Sequence, residues 1–535
     1  MQKIGKPVGL LLLLLLSAFT AGQKVAAKNT FRPIDVSLAT KSSESAKPQP
    51  AQALICPAQL GARINATLAR PQLSRSRWGV LIQTSLGSHT LYSYNAQQYF
   101  VPASNAKLLT TAAVLHHLGS QFRIRTSVYG SGDGALRVVG RGDPSFTDTQ
   151  LTELAIQLSR QGIRQVNQLI GEDDYFRGPA VNPNWEWGDI QADYGASINS
   201  LILNQNAVVL TLLPQALGQP LRAVWGDPTE ATRWRLENDA VTAGSESQTS
   251  LNVNRDIGGP VLQITGQLGI NSQPEAVALA VLDPAAHFLR HFRRALTTEG
   301  ITVRQAVVKI DSRNVNADTR RSTQMSDLIS LYLRPSTVRE LAAIESPPLS
   351  QLLVETNQNS NNLYAEALLR ILAVSAKPSL GAKVSNTLIA KDPTDELGLR
   401  VVKATLTDLG VNPASYVLAD GSGLSRHNLV SPEAITQTLR AMAHSPEAAV
   451  YRASLPVAGI SGTLQNRFRN TPAQGILQAK TGTLDGVIAI SGYLDSPNYE
   501  PLIFSIIVNQ SDQSAATLRQ VSDEIVLLLT QMHRC

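Results

Sequence analysis

The chain has 535 residues, 43% of them hydrophobic and 16% charged, enough for roughly two to four domains with a sizeable core. Its 47 Lys and Arg against 41 Asp and Glu leave a formal charge of +6, a mild excess that fits an anionic partner. No basic block or aromatic–basic platform accompanies it, which excludes a nucleic-acid-binding reading.

Lys3 and Lys6 precede an apolar run from Val8 to Phe19, and small residues follow at Ala21-Gly22 and Val25-Ala26-Ala27. That order is the order of a secretory signal, so residues 1–27 read as a signal peptide, cleaved or kept as an anchor. No cysteine lies near the cleavage zone, and no later stretch is apolar enough to cross a membrane. Residues 28–52, rich in Ser, Lys, Ala, Pro and Gln, read as a disordered tether. The two cysteines, Cys56 and Cys535, either staple the ends of the folded part in an oxidising compartment or remain free thiols.

Ile55 to Ala69 has helical spacing, and Trp78–Thr84 with His89–Tyr94 read as a hairpin turning at Leu86-Gly87-Ser88. Val101-Pro102-Ala103-Ser104-Asn105-Ala106-Lys107 then opens a helix that Gly119 stops, with Ser104 at the cap and one face buried. From Arg123 the character changes to short strands and glycine-rich turns. Gly130–Gly134 is a hairpin turn, since no helix follows it as a phosphate loop requires. Arg141-Gly142-Asp143 belongs to the turn before Pro144. Glu172-Asp173-Asp174 reads as a solvated loop, and His287 with His291 as part of a surface helix lacking the glutamate a zinc protease needs. Helical patterning returns at Thr337–Ile344 and Leu349–Leu372. Strands Gly486–Leu494 and Leu502–Asn509 and a helix from Ala515 to Met532 close the chain, so strands from both ends are expected in one sheet.

Three short stretches carry chemistry. Ser104 and Lys107 form S-x-x-K, which places a hydroxyl and an amine on one side of a helical turn. Such a match arises by chance about twice in a chain of this length and ordinary composition, so alone it decides nothing. Ser360 and Asn362 form S-x-N in an interruption of the helical region, and Lys480-Thr481-Gly482 leads into a strand. In that order on helix start, loop and strand, the triple is the signature of the penicillin-interacting serine enzymes. Ser104 would attack a carbonyl while a desolvated Lys107 takes its proton. Ser360 would relay a proton to the leaving nitrogen, and Asn362 would orient the substrate amide. Lys480 and Thr481 would meet the terminal carboxylate, and Gly482 would let the strand approach. The backbone N–H groups of Ser104 and Thr483 would hold the oxyanion, each worth ~3–4 kcal/mol of barrier.

From Cys56 onward the chain resembles the DacB-type low-molecular-mass penicillin-binding proteins, D-alanyl-D-alanine carboxypeptidases and endopeptidases of peptidase family S13. The resemblance rests on Pro102–Thr110, on the long insertion between the first two motifs, on Asp420–Asn428 and on Ser461-Gly462-Thr463-Leu464. It implies an α+β fold (an α/β sandwich): a serine β-lactamase/transpeptidase-like domain over 53–122 and 327–535, with β-rich inserted domains over 123–326. It implies an exported enzyme of the periplasm or cell envelope, with no cofactor or metal, no nucleic-acid partner and at most peripheral membrane contact. Its partners would be peptidoglycan stem peptides, with β-lactams as covalent inhibitors. The stretch Trp185–Ile190 with Tyr194 is similar to a family loop that dips over the cleft. By that resemblance Asp189 would meet a free amino group of the substrate, Tyr194 would pack on its methylenes and Arg426 would meet its carboxylate. Core packing is the rival reading for Trp187 and Tyr194. Asp485 stands where some relatives carry Gln, which opens the question of the preferred stem peptide. A secreted β-lactamase, or a non-catalytic wall-binding or β-lactam-sensing protein, is the alternative. The long insertion argues against the first and the intact Ser104, Lys107 and Lys480 against the second.

Overall fold

The structure, a computed structural model, describes residues 54–256, 259–309, 339–375 and 392–535. The signal peptide of residues 1–27, the tether of 28–52 and the boundary at 326/327 lie outside the described residues. Among the described residues no helix is long and apolar enough to cross a membrane.

The three sequence motifs are arranged around a five-stranded antiparallel sheet. Its order is Leu477–Leu484, Val487–Leu494, Leu502–Asn509, Arg77–Thr84 and Thr90–Tyr94, so it draws on both ends of the chain. All eight residues of Val487–Leu494 and of Leu502–Asn509 are buried, because both faces of the sheet are covered. Alternate side chains point to opposite faces. Ile488, Ile490, Phe504 and Ile506 meet one core with Leu60 of the helix Pro57–Leu68 and Ile525 of the helix Ala515–Thr530. Ala489, Ile503 and Ile507 meet a second core with Leu109 and Leu439, on the helices Ala106–Leu118 and Pro432–Ala443. Continuous rather than alternating apolar strands are the sequence mark of a sheet buried on both sides.

The long connection after Ala106–Leu118 builds a second, mixed five-stranded sheet. Its order is Thr302–Lys309, Gln165–Glu172, Ala135–Val139, Arg125–Gly130 and Arg339–Glu345. The helices Asp148–Arg160 and Pro284–Thr298 pack on it through Leu151, Leu154, Phe288 and Phe292. Two smaller sheets share a core around Trp225 and Trp234. Leu279 bridges to Ala192, and Ala280 N donates to Gln191 O at 2.9 Å, so the small sheets carry the loop 185–195.

Several local expectations change. The segment Arg339–Glu345 is a strand, antiparallel to Arg125–Gly130, and not the helix expected over Thr337–Ile344. Helical spacing in so short a run loses to a ready sheet edge; the chain leaves this sheet only after Glu345. His287 and His291 do lie on a helix, but on its buried face, 1% and 4% exposed. Their Nδ1 atoms lie 3.3 Å from Glu230 Oε1 and 2.7 Å from Asp148 Oδ1. Glu172-Asp173-Asp174 is no solvated loop either. Glu172 ends a strand and accepts from Arg137 Nη1 at 3.0 Å, and Asp173 accepts from Ser200 N at 2.7 Å. The helix of the first motif is buried on every side from Ala106 to Leu115 rather than on one face.

Cys56 and Cys535, 479 residues apart, form a disulfide. Backbone bonds from Ile55 N to Gln531 O (2.9 Å) and His533 N to Ile55 O (3.2 Å) run beside it. Closing so long a loop restricts the unfolded chain strongly. Cys56→Ser should therefore lower stability by roughly 2–5 kcal/mol without changing the native sheet. Denaturant unfolding of the oxidised protein against the variant measures it, and equal midpoints would assign the clasp to the backbone bonds alone.

Candidate active site

The first motif is placed by a pinned backbone. Val101 N donates to Asn509 Oδ1 at 2.7 Å, and Asn509 Nδ2 returns a bond to Val101 O at 3.1 Å. Ala103 then adopts φ +48°, an uncommon conformation for a residue with a Cβ. Its surroundings hold it there: a Cβ on Gly423 would lie 1.9 Å from Ala103 O. Ala103–Asn105 form one 3-10 turn before the α-helix, so Ser104 sits inside a turn and Asn105, not Ser104, takes the cap position. Asn105 Nδ2 donates to Ser491 Oγ at 2.8 Å, tying the turn to the central sheet.

Lys107, one turn on, is fully buried. Its Nζ lies 3.0 Å from Ser104 Oγ and donates to Asn362 Oδ1 at 2.6 Å and to Ser422 O at 2.7 Å. Burial pulls its pKa down to about 7, against the opposing pull of the Asp420 and Glu366 carboxylates. Two carbonyl acceptors leave the third position on nitrogen for the serine. A neutral Lys107 can thus direct its lone pair at the Ser104 hydroxyl.

The second and third motifs meet across the cleft. Ser360 links the helices Leu349–Gln358 and Asn362–Ser375 at φ +59°. Lys480 Nζ donates to Ser360 Oγ at 2.8 Å and to Thr481 O at 2.8 Å. Burial and then the charge of Lys107 push the Lys480 pKa well below its usual value. Thr481 Oγ1 donates to Thr463 Oγ1 at 2.6 Å, which brings in the Ser461–Leu464 stretch. A Cβ on Gly482 would fall 2.8 Å from Pro102 O and 3.1 Å from Ser104 N. Only glycine lets this strand lie against the serine turn. Thr483 is exposed beside it.

Two buried carboxylates missed by the spacing arguments organise the floor. Glu366 Oε1 accepts from Gly421 N (2.8 Å) and Ser422 N (2.9 Å), while Arg370 Nη1 lies 3.1 Å from its other oxygen. Burial, then the neighbouring Asp420, push the Glu366 pKa up to about 7. Asp420 accepts from Gly423 N, Asn428 Nδ2, Ser425 N and Trp185 Nε1, at 2.7, 2.8, 2.6 and 3.0 Å. These bonds fold Asp420–Asn428 so that Ser422 O faces Lys107. A legible signal was the Glu366/Arg370 pair, four apart inside an otherwise apolar helix.

The loop 185–195 reaches the same cleft. Asn362 Nδ2 donates to Tyr194 O at 2.9 Å. Tyr194 hydrogen-bonds the Asp189 carboxylate, whose pKa burial and then the nearby Glu186 raise. Arg426 is already engaged: its Nε lies 3.0 Å from Glu186 Oε1 and its Nη1 donates to Asp485 O at 3.0 Å. It thereby ties the loop to the turn after the third motif. Trp185 is core and Trp187 is exposed. Among the described residues the one cluster of three metal-donor side chains is Cys56, His533 and Cys535, at the disulfide.

The D-Ala-D-Ala carboxypeptidase 3 (S13) family matches residues 60–532. The D-alanyl-D-alanine carboxypeptidase of Actinomadura sp. strain R39 is 32% identical over 487 residues, spanning 88% of this chain and 84% of that protein. The penicillin-sensitive carboxypeptidase A of Dictyostelium discoideum is 29% identical, over 85% of this chain and 87% of that one. The crystal structure of penicillin binding protein 4 (dacB) from Haemophilus influenzae superposes with a TM-score of 0.71 at 24% identity. It covers 88% of this chain and 99% of that one, and shares the fold. Match, relatives and shared fold converge: the chain belongs to the D-Ala-D-Ala carboxypeptidase 3 (S13) family and is a serine D,D-peptidase.

Proposed function

We propose that the enzyme cleaves peptidoglycan stem peptides through an acyl-enzyme on Ser104, and that penicillins acylate the same hydroxyl. The observation that carries this is the 3.0 Å contact between Ser104 Oγ and a Lys107 amine that burial holds near neutrality. Ser104 Oγ attacks the carbonyl carbon of the penultimate D-alanine as Lys107 takes its proton. The tetrahedral oxyanion is held by the backbone N–H groups of Ser104 and Thr483, which the approach at Gly482 brings side by side. The leaving nitrogen takes a proton through Ser360, backed by Lys480. It departs as free D-alanine in the carboxypeptidase reaction, or as the amine of a neighbouring strand in the endopeptidase one. Lys480 and Thr481 receive the terminal carboxylate, and Asn362 holds the substrate amide while positioning Lys107. Water then attacks the ester, with Lys107 as base.

Asp189 and Tyr194 supply an acidic, half-open rim for an amino group on the stem peptide, and Arg426 supplies the cation for a carboxylate there once Glu186 yields it. Residues 53–122 and the chain after Glu345 are assigned to the peptidase domain, the span from 123 to Glu345 to the insertion, since Arg339–Glu345 pairs with Arg125–Gly130, and 1–27 to a signal that delivers the enzyme to the periplasm or cell envelope. The basic, apolar, small-residue order of that leader supports export.

Incubation with a fluorescent penicillin should add one adduct mass to the protein and none to Ser104→Ala. Slow loss of the label identifies a peptidase and fast loss a β-lactamase. An unlabelled, folded wild type would remove the enzyme reading.

The acylation rate should rise about tenfold per pH unit below about 7 and level off above it, since only neutral Lys107 accepts the proton. Glu366→Gln deletes a charge that holds the Lys107 pKa up, so the rising limb should move to lower pH. Its plateau should fall by no more than about tenfold, because the amide oxygen still accepts a backbone bond. Stopped-flow acylation across pH checks both, and an unmoved limb would mean that Glu366 is uncharged beside Lys107.

A further inference from the structure

The loop that covers the cleft has a second side. There Trp187, Thr232, Arg233, Arg255, Pro260 and Leu282 line an open groove of about 620 Å³. Arg255 ends the strand Ser250–Arg255 and is half-buried. Burial alone lowers its pKa, with no carboxylate opposing the shift. Arg233 follows the 3-10 turn Pro228–Thr232. Neither guanidinium has a carboxylate partner among the described residues. Three arginines on adjoining segments are paired, by contrast: Arg290 with Glu230, Arg294 with Asp227 and Arg426 with Glu186. A half-buried cation pays for desolvation, and the usual remedy is an anion at hydrogen-bonding distance. Beside the two arginines Trp187 and Leu282 present exposed apolar surface, 47% and 40% accessible. Paired guanidinium forks next to an indole face suit a carboxylate carried on a sugar or aliphatic frame.

The groove and the catalytic cleft share one loop. Arg255 N donates to Gln191 Oε1 at 2.5 Å and Gln191 Nε2 to Asn254 Oδ1 at 3.2 Å. Three residues on, Tyr194 O receives the bond from Asn362. The loop that reaches the Ser104 cleft through Tyr194 therefore also lines this groove through Trp187. We propose that Arg233, Arg255 and Trp187 form a binding subsite for the carboxylate-bearing glycopeptide of the wall polymer beyond the scissile bond. The proposal rests on the peptidoglycan reading above and extends it from the reacting peptide to the strand that carries it. The net charge of +6 favours the same anionic polymer at longer range.

The test compares a soluble disaccharide-pentapeptide with a short diacylated tripeptide ending in D-Ala-D-Ala, on wild type, Arg255→Gln and Arg233→Gln/Arg255→Gln. For the disaccharide-pentapeptide, kcat/KM should fall roughly tenfold per arginine, chiefly through KM, as expected for one charge-assisted contact each. Tripeptide turnover and penicillin acylation should stay unchanged. Calorimetric binding of the disaccharide-pentapeptide to Ser104→Ala should weaken by the same factor when Arg255→Gln is added. Equal losses on both substrates, or none on either, would overturn the subsite. So would binding of a polyphosphate at the groove with no binding of the disaccharide-pentapeptide. A wild type that neither hydrolyses the tripeptide nor takes penicillin would instead count against the enzyme reading, so the two failures are separate.

Discussion

The site depends on keeping one lysine out of water. Burial lowers Lys107 from its usual 10.5 to about 7, against the pull of the Asp420 and Glu366 carboxylates. Only a rigid, closed surround can impose that. The helix Ala106–Leu118 is accordingly buried along its first three turns, and the acceptors of the amine come from three separate parts of the chain. Glu366 and Asp420 act in two ways at once. Their charge restrains the fall in pKa, and their oxygens fix the loop whose carbonyl at Ser422 receives a Lys107 proton. Burial wins the contest, which leaves the amine able to act as a base near neutrality.

The same constraint explains the strand of the third motif. Lys480 is a second buried amine in one cleft, and each cation disfavours the other. Ser360 and Thr481 O absorb its hydrogen bonds. Gly482 permits a backbone separation that any side chain would forbid. On one flank, the stretch Pro456–Ala458 bonds this strand up to Ala479, through Ala458 N to Leu477 O and Ala479 N to Pro456 O. Beyond Ala479 that edge runs beside the serine turn at Gly482, with Thr481 O taken up by Lys480.

Much of this was legible because the candidate site residues come in short local patterns. Ser104 and Lys107 share a turn, Ser360 and Asn362 share a helix junction, and Lys480–Gly482 share a strand. The closing strands were legible for a related reason, being continuous apolar runs. What escaped was non-local. Glu366 acts on backbone groups 55 and 56 residues away, and no spacing rule spans that distance. His287 and His291 looked exposed because the acids that bury them, Glu230 and Asp148, come from distant segments. The Arg339–Glu345 strand was hidden because its partner, Arg125–Gly130, lies some two hundred residues earlier in the chain. Arg426 shows a subtler limit: the resemblance marks it as a carboxylate partner, while the structure shows Glu186 already beside it.

The mixed origin of the central sheet governs how the molecule comes into being. Arg77–Thr84 has its inner neighbour in Leu502–Asn509, more than four hundred residues downstream. A growing chain that has not yet reached Leu477 holds an N-terminal hairpin with no inner partner, and a serine turn without Gly482 or Asn509 to shape it. Such long-range pairing is slow to form and leaves apolar strands waiting unpaired. Competence therefore arrives late and nearly at once, when the last three strands close. A nascent or truncated copy of this hydrolase carries Ser104 but not the geometry that surrounds it.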